Sequence, residues 1–242
     1  LLGVGRRGVP QPGGVLMRDT VLFDVNETTL DLAPLRPAFE RVFGSALALP
    51  EWFGRLLHAS TVCAMTRVEA TFAELAEAGL ERSAALFGVT LDDDARRRLL
   101  RAFASLAPHA DVRPALEALR AGGMRCAAFS NSSSALLEQQ LRHAGLDGLF
   151  DAAISVEAAG TFKPDRRAYL HAAKAMDRRP EDCWMVAAHD WDVHGAMTAG
   201  LAGAYLARPA TPYHPRLLRP TLASAHLAEL VEGILASPRA LA

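Results

Sequence analysis

Asp24 constrains this chain more than any other residue. It ends the apolar run Thr20-Val21-Leu22-Phe23 and is followed by Val25-Asn26-Glu27-Thr28. A buried strand that stops on a carboxylate presents it at the carboxyl edge of a sheet, where open α/β folds bind ligands. A carboxylate placed there can attack as a nucleophile, form an ester and be freed by water. The segment alone also fits a turn or a helix cap, since strands often end in Asp for those reasons. Its weight comes from three later segments able to meet it.

Short apolar runs bounded by Gly, Pro or polar residues predict strands over 20–24, 124–130, 153–156, 183–187 and 202–206. Helical patterns over 114–121, 134–144, 166–176 and 194–199 separate the later ones, with Gly145 as a helix stop. This alternation predicts a doubly wound parallel sheet with helices on both faces. Residues 33–106 interrupt it, with no convincing strand and helices expected over 35–43, 51–65, 69–78, 81–87 and 92–106. A helical insert there would lie over the edge that carries Asp24, as a lid that excludes water and supplies substrate contacts. The expected organisation is an α/β core of residues 17–32 and 107–242, an inserted all-helical cap of 33–106, and a floppy extension of 1–16.

Composition removes several classes of partner. The 242 residues are 50% hydrophobic, enough for a sizeable core. The 26 Lys and Arg against 27 Asp and Glu give a net charge of −1, so nothing in the charge favours nucleic acid or an anionic membrane. No apolar stretch is long enough to span a bilayer. Cys63, Cys126 and Cys183 are isolated, without metal-ligand spacing or an even count for disulfides, which points to a reducing cytoplasm. Arg6-Arg7 is reminiscent of a twin-arginine signal, but no adequate apolar region follows; no signal peptide is expected, and Met17 is the expected natural start.

Four segments fall at or just after strand ends: Asp24 to Thr28, Ser130-Asn131-Ser132-Ser133, Lys163-Pro164-Asp165 and His189-Asp190-Trp191-Asp192. Their chemistry is complementary. Lys163 beside Asp24 would keep that carboxylate ionised and stabilise developing negative charge. Ser130 and Asn131 sit where a helix begins, a natural anion site. Thr28 can orient Asp24, and Asp192 can hold Lys163 or activate a water. His189 titrates near neutral pH and can also activate water. Each has a plainer alternative: a solvated loop lysine, an N-cap at Ser130-Asn131, a cap at Asp192, a core Trp191, a hydrogen-bonding His189 that never exchanges a proton. All four segments in this order, each at a strand end, favour the joint reading.

With a helical insert after the first motif, this order resembles the haloacid dehalogenase superfamily. Phe23-Asp24-Val25-Asn26-Glu27-Thr28, Phe129-Ser130-Asn131-Ser132, Phe162-Lys163-Pro164-Asp165 and Trp191-Asp192-Val193-His194-Gly195-Ala196 look like its type II L-2-haloacid dehalogenase branch. The resemblance implies a Rossmann-like core with a helical cap. It implies hydrolysis of small 2-haloacids to 2-hydroxyacids through an ester on Asp24, with no cofactor. Ser130 and Asn131 would hold the substrate carboxylate and Lys163 would assist charge at Asp24. Asp192, with His189, would position or deprotonate the water. Tyr169 matches a tyrosine that supports the site and is expected, with Asn26 and Phe53, among the residues that bind substrate, and Trp191 and Phe72 match walls of the halide pocket. A homodimer is also implied, and Leu56, Leu57 and Val62 on the lid are apolar enough to serve it.

The chain also departs from that pattern. Members of the branch carry an arginine on the first lid helix where Phe53 stands here. Arg55 lies about 200° further around the helix, at roughly 100° per residue, and Arg67 is another substitute. Asn26 replaces an aromatic, His189 an asparagine and Ala187 a serine. Most of the superfamily are Mg²⁺-dependent phosphatases, with an acid two residues after the nucleophile and another four before the position of Asp192. Here those positions are Asn26, which cannot donate a proton as a carboxylic acid does, and Ala188. A metal-independent site is therefore expected. A Mg²⁺-dependent small-molecule phosphatase and a non-catalytic anion-binding protein are the alternatives.

Overall fold

The structure, a computed structural model, describes residues 18–208 and 211–237. The expected extension of residues 1–16 and the expected start at Met17 lie outside them. Among the described residues, six strands form one sheet: β1 (Thr20–Asp24), β2 (Arg125–Ser130), β3 (Ala152–Ser155), β4 (Cys183–Ala187), β5 (Ala202–Leu206) and β6 (Leu222–Ser224). Their order is β3-β2-β1-β4-β5-β6 and each neighbouring pair is parallel. β1, β2 and β4 are almost wholly buried because helices cover both faces, and their runs are apolar rather than alternating. The chain leaves β1 in one direction to β2 and β3, then returns to β4 on its other side. That reversal opens a crevice at the carboxyl end of β1, and Asp24 is the last residue of that strand.

Helices α1 (Arg36–Phe43), α2 (Ala48–Thr66), α3 (Phe72–Phe87) and α4 (Asp93–Phe103) follow β1 in sequence. They pack around the aromatic rings of Phe39, Trp52, Phe53 and Phe103, with centroids 5.1–6.4 Å apart in contacting pairs. The Trp52 indole N–H donates to the Ala76 carbonyl at 2.9 Å, so the largest ring in this cluster leaves no buried donor unpaired. The chain enters and leaves this helical region along two adjacent segments. Asp31 N donates to Ala107 O at 2.9 Å, and His109 N to Thr29 O at 3.0 Å.

The remaining helices, α5 (Val112–Ala121), α6 (Ser134–His143), α7 (Arg166–Ala175), α8 (Asp190–Thr198) and α9 (Leu227–Ala236), cover the sheet. Several sequence expectations need correction. The helices expected over 69–78 and 81–87 are one. α3 starts late because Thr71 and Glu74 form a capping box. It runs through Gly79 because that glycine lies against Trp52: a Cβ there would come 3.2 Å from the indole. α4 stops at Phe103 rather than 106, where Ala107 precedes Pro108 and is biased away from helix. α8 begins four residues earlier than expected, with Asp190 and Asp192 in its first turn, where acidic side chains suit the helix dipole. β6 and α9 were not expected. β6 is three residues at a sheet edge, but α9 buries Leu227, Leu230, Val231 and Ile234, a helical spacing that was legible.

The packing of α8 on α7 admits no side chain at Gly195. A Cβ there would lie 2.6 Å from the Tyr169 hydroxyl and 2.7 Å from Pro164 Cβ. Gly195→Ala should therefore cost about 1–3 kcal/mol by overpacking. In a chain of this size that is a fall of several degrees in the thermal midpoint, at roughly 2–4 °C per kcal/mol. An unchanged midpoint would mean that the two helices move apart freely.

Candidate active site

The loops after β1, β2, β3 and β4 meet at the carboxyl edge of the sheet. Lys163, reached from β3, places its ammonium between two carboxylates. Nζ donates to Asp24 Oδ1 at 2.8 Å, to Asp192 Oδ2 at 2.7 Å and to the Phe129 carbonyl at 3.2 Å, and the residue is 1% exposed. Burial works against its charge, but the carboxylates of Asp192 and Asp24 outweigh burial and hold its pKa above the ordinary lysine value. For Asp24, burial pushes the carboxyl up. The Lys163 charge, then the His189 hydrogen bond, pull it well below the usual carboxylate range. Asp192 lies higher than usual: burial raises it, Lys163 opposes, and the Asp24 charge adds to the rise. Burial also lifts the Tyr169 hydroxyl well above the ordinary tyrosine value, so it stays protonated and donates to Asp192 Oδ1 at 2.7 Å.

Thr28 sets the other side of Asp24. Its hydroxyl donates to Asp24 Oδ2 at 2.6 Å and accepts from Ala188 N at 2.9 Å, so one side chain ties the β1 turn to the end of β4. His189 also lies there, with Nδ1 3.3 Å from Asp24 Oδ2 and Nε2 2.8 Å from Glu27 Oε2. Its ring stacks on Trp191 at 5.3 Å between centroids and meets Phe53 from α2 at 6.3 Å. Burial alone would lower its pKa; hydrogen bonds to Asp24 and Glu27 reverse that and raise it to about 10. At neutral pH His189 is an imidazolium.

A small cavity joins these groups. It is lined by Asp24, Asn26, Ser130, Asn131, Lys163, His189 and Trp191, and covered by Phe53, Leu57 and Phe72 from the helical region. The space open to the centre of a water molecule is about 10 Å³, near the minimum for one water. Asn131 Oδ1 accepts from the Lys163 backbone N–H at 2.9 Å, and Ser130 Oγ from Ser132 N at 3.0 Å. The Asn26 amide is held by Ser132 Oγ at 3.4 Å and Gln140 Nε2 at 3.3 Å.

The structure gathers every site residue expected from the sequence but changes the place of three. Tyr169, expected to bind substrate, is fully buried behind Asp192 and does not line the cavity. Asp192, one candidate to activate water, is also sealed from the cavity, its oxygens taken by Lys163 and Tyr169. His189, expected as a base, carries its proton in the resting site. Neither arginine offered as a substitute reaches the cavity. Arg55 is exposed and pairs with Glu51 at 2.9 Å. Arg67 lines a separate cavity that shares Phe72 and Asn131 as its wall. Glu27 and Leu57 were missed. Leu57 follows Phe53 by one helical turn, a legible spacing. Glu27 carries no such signal, because its partner His189 is 162 residues away.

The side chains do not suit a divalent cation. An ammonium already stands between the two buried carboxylates, position 188 is alanine, and the Asn26 amide is engaged elsewhere. Among the described residues, no three His, Cys, Asp or Glu side chains gather as ligands. Hard cations of the Mg²⁺ type need several oxygen donors in an octahedron.

Similarity to known proteins agrees with this geometry. A family model described as haloacid dehalogenase-like hydrolase matches residues 18–200. Over 212 residues the chain is 29% identical to an (S)-2-haloacid dehalogenase of Pseudomonas putida, covering 87% of this chain and 93% of that one. Over 182 residues it is 32% identical to (S)-2-haloacid dehalogenase 1 of Pseudomonas sp. (strain CBS-3), covering 74% and 80%. Its fold is similar to that of the L-2-haloacid dehalogenase from Xanthobacter autotrophicus, with a TM-score of 0.83 over 92% of this chain and 100% of that one, at 23% identity. With the strand that ends on Asp24, the buried Lys163 and three quarters of its length inside that match, the chain belongs to the haloacid dehalogenase-like hydrolase family.

Proposed function

We propose that this protein hydrolyses the carbon–halogen bond of small 2-haloacids, giving 2-hydroxyacids through an ester on Asp24. The observation that carries this reading is an ionised carboxylate, held by Lys163 at 2.8 Å, on the floor of a very small cavity roofed by Phe53, Leu57 and Phe72. Asp24 attacks C2 in line with the departing halide, and water then attacks Asp24 Cγ and frees the 2-hydroxyacid. Thr28 orients the nucleophile. Lys163 keeps it ionised, and Asp192 and Tyr169 hold Lys163. Ser130 and Asn131 take the substrate carboxylate beside Asn26. Phe53, Phe72 and Trp191 wall the halide. The names of the relatives support the same chemistry and make the (S) enantiomer the first to test.

In this reading residues 33–106 are a cap on a core of residues 17–32 and 107–242. The cap lifts to admit substrate about the paired segments near Asp31 and Ala107, because the closed cavity is too small for one. No metal is required. A phosphate ester fits less well, since it brings more negative charge, and Asn26 cannot act as its general acid. The protein works in the cytoplasm, consistent with three free, buried cysteines, and no helix among the described residues is long and apolar enough to cross a membrane. A homodimer is part of this reading, but its apolar surface differs from that expected. Leu56 is buried in the core and Leu57 lines the cavity, leaving Val62 and Met65 exposed near the end of α2 and Val68 exposed just beyond it.

Halide release from chloroacetate, fluoroacetate and both 2-chloropropionates, measured with chelator present, tests the reaction. Release should occur and should fall by on the order of 10⁴-fold or more in Asp24→Asn. Turnover of phosphate esters that requires Mg²⁺, with no halide released, would overturn the assignment. Tight anion binding without any turnover would favour the non-catalytic alternative.

The buried ammonium makes a second prediction. Lys163→Met leaves Asp192 buried without a cation and Asp24 with His189 as its remaining one, at a cost of about 3–5 kcal/mol near neutral pH. The dependence on pH should change sign. In the wild type the depressed Asp24 contributes stability that is lost as pH falls through its folded value. In the variant Asp192 loses the cation that opposed its rise, so stability should increase as pH falls and Asp192 protonates. Thermal melts from pH 7 downward that move in the same direction for both proteins would contradict the assigned charges.

A further inference from the structure

Resting on that reading, we propose that Gln140 fixes the polarity of the substrate-carboxylate site: it turns the Asn26 amide so that its N–H donates to the carboxylate beside Ser130 and Asn131. Asn26 touches the substrate. Gln140, behind it, is a positioning residue.

The chain of hydrogen bonds starts at a group that can only accept. Phe103 is the last residue of α4, so its carbonyl has no partner within the helix. Gln140, fully buried on α6, meets that carbonyl through Nε2 at 3.0 Å. The nitrogen of the Gln140 amide must face it, because the reversed amide would set oxygen against oxygen. The same Nε2 lies 3.3 Å from Asn26 Oδ1. Its hydrogens thus serve two acceptors, while Gln140 Oε1 is buried with no hydrogen-bond partner among the described residues. An orphaned buried acceptor costs free energy. What holds the amide this way round is therefore the pair of acceptors at its nitrogen, not satisfaction of its own oxygen.

Asn26 Oδ1 is thereby occupied from behind, and Nδ2 is the polar atom left for the cavity that Asn26 lines. One Nδ2 hydrogen reaches Ser132 Oγ at a long 3.4 Å, and Nδ2 has no second partner among the described residues. The neighbouring side chains follow the same rule. Ser130 Oγ accepts from Ser132 N at 3.0 Å, and Asn131 Oδ1 accepts from Lys163 N at 2.9 Å. At each of these side chains an N–H of the scaffold takes the acceptor oxygen and leaves N–H or O–H hydrogens for a ligand. An ionised carboxylate only accepts, with about four lone-pair sites on its two oxygens, so a rim of donors suits it. The roof of the cavity offers only Phe53, Leu57 and Phe72, and recognition of the acid falls to this floor. In-line attack directs the halide away from Asp24 toward that roof. Asn26, two residues beyond Asp24 in the same loop, stays with the carboxylate.

Calorimetric titration with propionate, an unreactive acid of the substrate's size, reads the carboxylate site without chemistry. Asn26→Leu should weaken propionate binding by about 10–100-fold, as for a lost hydrogen bond to a charged group. It should raise KM for (S)-2-chloropropionate more than it lowers kcat. Gln140→Met should weaken propionate by about tenfold in the wild-type background. In the Asn26→Leu background it should add nothing, since it acts through Asn26. A glutamine that only capped α4 would act equally in both. Gln140→Glu keeps the size of the side chain but offers at most one hydrogen to the two acceptors. It should weaken propionate as well, and it takes the place of Gln140→Met in the cycle if that variant does not fold. Wild-type affinity in Asn26→Leu, or a Gln140 effect of the same size in both backgrounds, would overturn this role. Wild-type protein that binds no propionate and releases no halide would instead overturn the reaction assigned above, and the role of Gln140 with it.

Discussion

The buried ammonium of Lys163 is the interaction on which the rest of this structure depends. Removing a lysine from water costs several kcal/mol, and only close, well-hydrogen-bonded counter-charges offset it. Here two carboxylates, one carbonyl and the face of the Phe129 ring, 4.9 Å away, surround it. Asp24 is 139 residues away in sequence and Asp192 is 29 away. They meet because β1 lies next to β4 and β2 next to β3, so the loops from three strands end at one place. The sheet order is therefore a condition for the charge cluster, and the cluster in turn fixes the positions of the loops. Tyr169 extends this order one layer outward, and Gly195 makes room for it.

Above that cluster the helical region contributes apolar surface rather than charge. Phe53, Leu57 and Phe72 exclude water from carboxylates that must remain ionised to react. Electrostatic interactions strengthen as water leaves, so the roof tightens the grip of Lys163 on Asp24. It also limits what can enter. A cavity near the size of one water has no room for a bulky group. Phe53, at the position where the sequence resemblance implied an arginine, leaves the cavity roof without a positive charge. The second cation of this site comes instead from the sheet side, as His189.

Much of this was legible in the residues, for physical reasons. Asp24, Ser130, Lys163 and Asp192 all lie at or just after strand ends, and strand ends in a doubly wound sheet share an edge. The five longer strands were legible because buried parallel strands are short and uniformly apolar. What escaped the sequence depended on contacts between distant segments. Gly79 reads as a helix break until Trp52 is seen against it. Tyr169 reads as a pocket residue until Asp192 is seen to occupy its hydroxyl. His189 reads as a base because an isolated imidazole titrates near neutrality, and only the two carboxylates on its nitrogens reverse that. Glu27 resembles any solvated turn glutamate. Nothing local marks it as a partner that, with Asp24, raises the pKa of a ring at the end of another strand.

The charge count of the buried groups shows why two cations suit one nucleophile. Asp24 and Asp192 are balanced by Lys163 and His189, so the resting cluster is neutral with Glu27 at its solvent edge. Esterification of Asp24 removes one negative charge and leaves the same cluster with an excess positive charge. A free halide and the carbonyl oxygen of the ester, on which negative charge must develop, are both stabilised in that state.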